Sequence, residues 1–201
     1  MSKINALCVY CGSSPGTDPA FAEAARRFGK ILAENGVRLV YGGGSVGLMG
    51  ALADAVIKHG GEVTGVIPDF LTARERPKRR AQELVVTRDM HERKREMFER
   101  ADGFIALPGG IGTLEELVEQ LTWAQLGRHK KPILIANING FWDPLLSLLA
   151  HMRVLGLVPP PANGVELLVV ERVEDILPKL RAAARAVSEA QKKMAVPADR
   201  L

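Results

Sequence analysis

The residues best suited to chemistry lie between Pro108 and Glu119. Pro108-Gly109-Gly110-Ile111-Gly112-Thr113 runs into a helix-patterned segment carrying Glu115, Glu116 and Glu119. Glycine lets the backbone come close to a ligand, and the start of a helix turns unpaired N–H groups and a positive dipole end toward an anion. Carboxylates in the first turns of such a helix are stabilised by its dipole, and a phosphate-binding turn and a carboxylate cluster would then share one corner of one pocket. The same residues also have a plain structural use: Thr113 followed by Glu116 matches a capping box, and capping alone would account for both.

Two more small-residue turns, Cys11-Gly12-Ser13-Ser14 and Gly42-Gly43-Gly44-Ser45-Val46-Gly47, also follow strand-like runs. Three such turns at one sheet edge point to phosphate. Gly42, Gly44 and Gly47 spell G-x-G-x-x-G, but a dinucleotide site has that fingerprint after its first strand and an acid after its second. Here it follows the second strand, and the acid after the third is Asp69, behind a proline. NAD(P) is therefore disfavoured, and without a Gly-Lys-Ser/Thr there is no P-loop.

Other clusters carry less. The segment near 90–101 holds Glu92, Arg93, Lys94, Arg95, Glu96 and Glu99, a mixed pattern typical of an exposed helix. His91-Glu92 lacks the second histidine of a zincin, because position 95 is arginine, and His59, His129 and His151 stand singly. No metal site and no cofactor are expected. Cys8 and Cys11 match C-x-x-C, yet Cys8 sits inside an apolar run and residues three apart on a strand face opposite ways. Both read as buried small residues.

The elements that must position these groups alternate along the chain. Periodicity predicts strands near 6–11, 37–41, 62–67, 83–87, 103–107, 132–137 and 167–170, and helices near 19–35, 46–59, 90–101, 112–127, 141–155 and 173–187. That order predicts an α/β fold: a single-domain, Rossmann-like, doubly wound parallel sheet with helices on both faces. Asp18-Pro19 reads as a helix start and Asn35-Gly36 as its stop. Phe21, Ala24, Ala25, Phe28, Ile31 and Leu32 form one core-facing stripe. Residues 1–187 read as the catalytic domain and 188–201 as a flexible tail. The basic stretch Arg74–Arg80, with five basic residues and Glu75, reads as a loop whose functional use would be an anion clamp.

Bulk composition narrows the class. A chain of 201 residues with 47% hydrophobic content can enclose one core, and no apolar run approaches the roughly 18 residues that span a bilayer. The N-terminus has no signal-peptide pattern, so a cytoplasmic location is expected and no membrane partner. A net charge of +4 suits an anionic ligand without requiring nucleic acid.

Met90-His91-Glu92-Arg93-Lys94 followed by Pro108-Gly109-Gly110-Ile111-Gly112-Thr113-Leu114-Glu115-Glu116 resembles the LOG (Lonely Guy) family. These are cytokinin riboside 5′-monophosphate phosphoribohydrolases, long mislabelled lysine decarboxylases. The similarity extends from the Cys11 turn through Gly42–Gly50 and Thr122-Trp123-Ala124-Gln125-Leu126-Gly127 to Phe141-Trp142. It implies a nucleoside monophosphate substrate contacted by Glu75, Arg93, Lys94, Gly110, Ile111, Gly112, Thr113, Leu114, Glu115, Glu116 and Thr122, with Arg93 and Glu116 essential. It also implies a homodimer or larger assembly with the active site near the subunit interface. Arg76–Arg80 is more basic than the family pattern. Arg93 is left between holding the phosphate and drawing charge onto the base. Two rivals stand beside this reading: a non-catalytic nucleotide or cofactor carrier on the same scaffold, and a pyridoxal phosphate decarboxylase, for which no lysine is marked.

Overall fold

The computed structural model describes residues 4–75, 83–158 and 166–194, with side chains through 73 in the first segment and through 187 in the last. The basic stretch 76–80 and the prolines at 159–161 lie outside the described residues. Seven strands form, β1 (Ala6–Tyr10), β2 (Arg38–Tyr41), β3 (Val63–Pro68), β4 (Glu83–Thr87), β5 (Gly103–Ala106), β6 (Ile133–Ala136) and β7 (Leu167–Val170). They make one sheet in the order β4-β3-β2-β1-β5-β6-β7, every pair parallel. The winding direction reverses between β1 and β5, and at such a point the loops beyond the strand ends part to leave a crevice.

Alternation along the strands divides the core in two. On β1, Leu7 and Val9 enter one apolar cluster while Cys8 and Tyr10 enter the other. The first face is covered by α1 (Pro19–Glu34), α2 (Gly47–Lys58) and α7 (Ile176–Met194), which contribute Phe28 and Leu32, Leu52 and Val56, and Ile176 and Leu180. The second is covered by α4 (Met90–Glu99), α5 (Ile111–Gln125) and α6 (Asp143–Val154), which contribute Met97, Leu117 and, partly buried, Leu145 and Leu146. Asp18 caps α1 through Ala20 N, with Pro19 as the first helical residue, and Asn35 closes it. Asp89 caps α4 in the same way through Glu92 N.

Three boundaries differ from expectation. A short helix α3 (Asp69–Glu75) follows β3, where the sequence read as loop; Asp69 behind Pro68 supplies the acidic first turn that marks its start. Helix α7 begins at Ile176, after a single 3₁₀ turn at Val173–Asp175, and continues to Met194, past Val187. Helix α5 begins at Ile111, with Gly110 as its N-cap and no side-chain cap. Thr113 thus lies inside the helix and Glu116 in its second turn, so the capping-box reading of this pair is overturned.

Candidate active site

The three glycine-rich turns meet at the reversal point. Gly12 N donates to Pro108 O at 3.1 Å, and Leu48 N and Met49 N donate to Gly12 O at 3.0 and 3.2 Å, tying the ends of β1 and β5 to the start of α2. A cleft of about 260 Å³ opens there, lined by Gly12, Ser13, Ser14, Pro15, Gly16, Phe21, Leu48, Pro108, Gly109, Gly110 and Phe141. Beside it, the N–H groups of Ile111, Gly112 and Thr113 have no acceptor among the described residues. Helices α1 and α4 close their N-termini with aspartate, whereas the one at the crevice leaves its donors open.

On the α4 side of the same turn lies a buried ion pair. Arg93 Nη1 donates to Glu116 Oε1 at 2.9 Å and Nε donates to Val66 O at 3.1 Å, and each residue is only 7% exposed. The approach depends on Gly42, since a Cβ there would lie 2.1 Å from Arg93 Nη2. Gly47, at φ 62°, is pressed equally closely on the Ser13 backbone. Two of the three fingerprint glycines therefore serve internal packing. Burial pushes the Glu116 carboxyl up to about 7, against the opposing pull of Arg93.

Around this pair, Lys94 Nζ reaches Glu115 Oε1 at 2.6 Å and Glu119 Oε1 at 2.9 Å. Burial works against the Lys94 charge, but the hydrogen bonds and charges of Glu115 and Glu119 prevail and hold its pKa above the usual lysine value. Thr113 is buried, its hydroxyl so close to Gly109 that a Cβ there would lie 2.2 Å away. The structure thus gathers Arg93, Lys94, Gly110, Ile111, Gly112, Thr113, Leu114, Glu115 and Glu116 around one helix start. It does not bring in Thr122, which lies exposed about 9 Å further along α5 and donates to Val118 O at 2.8 Å. Glu75 ends α3, and its side chain is outside the described residues.

Cys8 and Cys11 are both buried and free, on opposite faces of β1, with burial as the main cause raising each thiol pKa. Neither is placed as a redox pair. Among the described residues, no group of three or more His, Cys, Asp or Glu side chains is arranged to hold a metal, and no helix is long and apolar enough to cross a membrane. Sequence reasoning missed the packing of Gly42 on Arg93 and the Val66 carbonyl, which only the fold brings together. It also passed over Gln120, whose position one turn after Glu116 was the available signal.

Comparison with known proteins decides the family. Residues 49–180 match the family model described as "Possible lysine decarboxylase". The cytokinin riboside 5′-monophosphate phosphoribohydrolase LOG of Oryza sativa subsp. japonica is 53% identical over 164 residues, 82% of this chain and 68% of that protein. The chain belongs to the LOG family. Its relative LOG1 of Arabidopsis thaliana, another cytokinin riboside 5′-monophosphate phosphoribohydrolase, is 43% identical over 184 residues, 89% of this chain and 86% of that protein. The fold of this LOG family member is also shared with a Moco carrier protein from Chlamydomonas reinhardtii (TM-score 0.69, 19% identity, 92% of this chain and 99% of that one). A molybdenum cofactor binding protein from Rippkaea orientalis gives a TM-score of 0.64 at 20% identity, over 90% of this chain and 98% of that one. At those identities the likeness is one of fold.

Proposed function

We propose that this LOG family member is an N-glycosyl hydrolase that cleaves a nucleoside 5′-monophosphate, AMP or N6-modified AMP, to the free base and ribose 5-phosphate. The observation that carries the reading is the buried Glu116 carboxylate, clamped by Arg93 one turn beyond a helix start with open N–H donors. In this reading the N–H groups of Ile111, Gly112 and Thr113 hold the 5′-phosphate, supported by Gly110 and Leu114 in the same turn. Glu75, Lys94 and Glu115 border the substrate, as the family resemblance implies. With the phosphate anchored, C1′ lies toward Glu116. The C1′–N9 bond breaks with its electron pair leaving on the base, and positive charge builds on the ribose, where an ionised Glu116 stabilises it and orients the attacking water. The water oxygen bonds to C1′ and one of its protons passes to the departing base, giving ribose 5-phosphate and the neutral base.

The bonds of Arg93 to Glu116 and to Val66 O favour a positioning role over contact with phosphate or base. A guanidinium so held fixes the carboxylate's direction and offsets part of the cost of burying it. A carrier would use the open donors but has no need of this buried pair. A decarboxylase would need a lysine poised to lose its proton, whereas Lys94 is held charged by two carboxylates. Neither metal nor cofactor enters the scheme.

Residues 1–187 act as one catalytic unit in this reading, located in the cytoplasm, and two subunits pair. Support for pairing comes from exposed apolar side chains on neighbouring helices of one face: Val118 and Leu126 on or just past α5, and Leu148, Val154, Leu155 and Leu157 on or just past α6. Thr122 lies on the same side of α5 as Val118, so it serves the site from the interface. The test is incubation of purified protein with a panel of nucleoside monophosphates and chromatography for free base and ribose 5-phosphate. Stoichiometric appearance of both supports the proposal; tight binding without turnover supports a carrier.

A further inference from the structure

Three buried polar atoms without a hydrogen-bond partner fall on two adjacent residues of α5: Glu119 Oε2 and both amide atoms of Gln120. Gln120 is fully buried at 0% exposure. It follows Glu116 by four residues and so sits one turn beyond it on the same helix face. A buried amide with neither donor nor acceptor satisfied is costly, and native proteins meet such demands with protein partners or internal water. Its backbone carbonyl faces the His129 ring at 3.2 Å, so the helix is pinned there and only the side chain is left over.

We propose that Gln120, with Glu119, holds internal water beneath Glu116 and is a positioning residue for that carboxylate. One water accepts from Gln120 Nε2 and donates to Glu119 Oε2 and to Glu116; a second satisfies Gln120 Oε1. Polar and charged groups face Glu116 from three elements. From α4 come Arg93 and Lys94, from α5 Glu115, and from β1 and its end Tyr10, Cys8 and Cys11, while Glu119 meets Lys94 at 2.9 Å. Water donating to Glu116 favours its ionised form, so the device holds the carboxylate both in direction and in charge.

The proposal rests on the hydrolase reading for its kinetic readout, but not for its structural one. In a crystal structure of the wild-type protein resolved well enough to show internal waters, density is expected within hydrogen-bond distance of both the Gln120 amide and Glu119. A dry, partnerless Gln120 overturns the proposal whether or not the protein hydrolyses anything. In Gln120→Met, close in size but without the amide, kcat for AMP should fall about tenfold with KM within about twofold. The acid limb of its pH profile should move up by about one unit. Unchanged kcat and pH profile in a folded Gln120→Met also overturn it. Should that variant fail to fold, the wild-type water decides. Absence of any turnover in wild type, with the water in place, counts against the hydrolase and leaves the water site standing.

Discussion

Among single residues, Glu116 matters most to the proposed reaction, because of what burial does to its carboxyl. A carboxyl raised to about 7 is half protonated near neutrality, and the charge on a cleaving ribose needs the ionised form. The kcat/KM for AMP should therefore rise with pH along an acid limb near pH 7; a profile flat from pH 5 to 8 removes Glu116 from this role. The same shift bears on folding. A carboxyl whose pKa is higher folded than unfolded binds its proton more readily in the native state, so its contribution is present at low pH and lost as pH rises through about 7. Glu116→Gln cannot titrate. Its urea midpoint should fall less than that of wild type between pH 5 and 8, while its turnover should be about 10²-fold lower or worse. Parallel midpoints with turnover retained would make Glu116 a structural residue only.

At the scale of elements, the active arrangement depends on the turn after β2 accepting a side chain from α4. Gly42→Ala puts a methyl where the Arg93 guanidinium lies, an overpacking that costs about 1–3 kcal/mol if nothing moves. The guanidinium, at the end of a flexible chain, should move instead. Gly42→Ala should lower turnover about as much as Arg93→Ala, and the double variant should be no worse than either alone, as expected of groups acting through one contact. Additive losses would show that Gly42 and Arg93 act separately. This contact also marks where sequence reading ends. The strand and helix order was legible because β1 through β7 are short apolar runs and because Asp18-Pro19 and Asn35-Gly36 punctuate α1. The gathering of Arg93, Lys94, Glu115 and Glu116 was reached through resemblance; spacing alone left Thr113 and Glu116 as a cap. That ambiguity was physical: a capping box and a glycine-capped helix with Thr113 at its third position differ by a shift of the helix start that no local residue pattern resolves. The Val66 carbonyl was beyond reach because its role comes from sheet order, and Gln120 offered only its spacing from Glu116, with nothing in composition to show that it is buried.

At the scale of the whole molecule, α6 has no fully buried residue and, with the chain just past it, shows Leu148, Val154, Leu155 and Leu157 to solvent. The proposed dimer would cover this surface, so Leu155→Asp should shift the protein toward monomer in sedimentation velocity while leaving the circular dichroism spectrum unchanged. A wild-type protein already monomeric at micromolar concentration contradicts the pairing. The reversal of winding between β1 and β5 opens a crevice at which three glycine turns converge. In the proposed reaction this crevice anchors one compact phosphate dianion so that C1′ meets Glu116. The most direct measurement is kcat/KM for adenosine, AMP and ATP under identical conditions, with free adenine and ribose 5-phosphate quantified from AMP. AMP should exceed adenosine by about 10² or more, because the missing phosphate costs positioning as well as affinity. ATP should also be poor, since no P-loop lysine receives its outer phosphates. Equal values for adenosine and AMP, or AMP bound and released intact, would contradict the account.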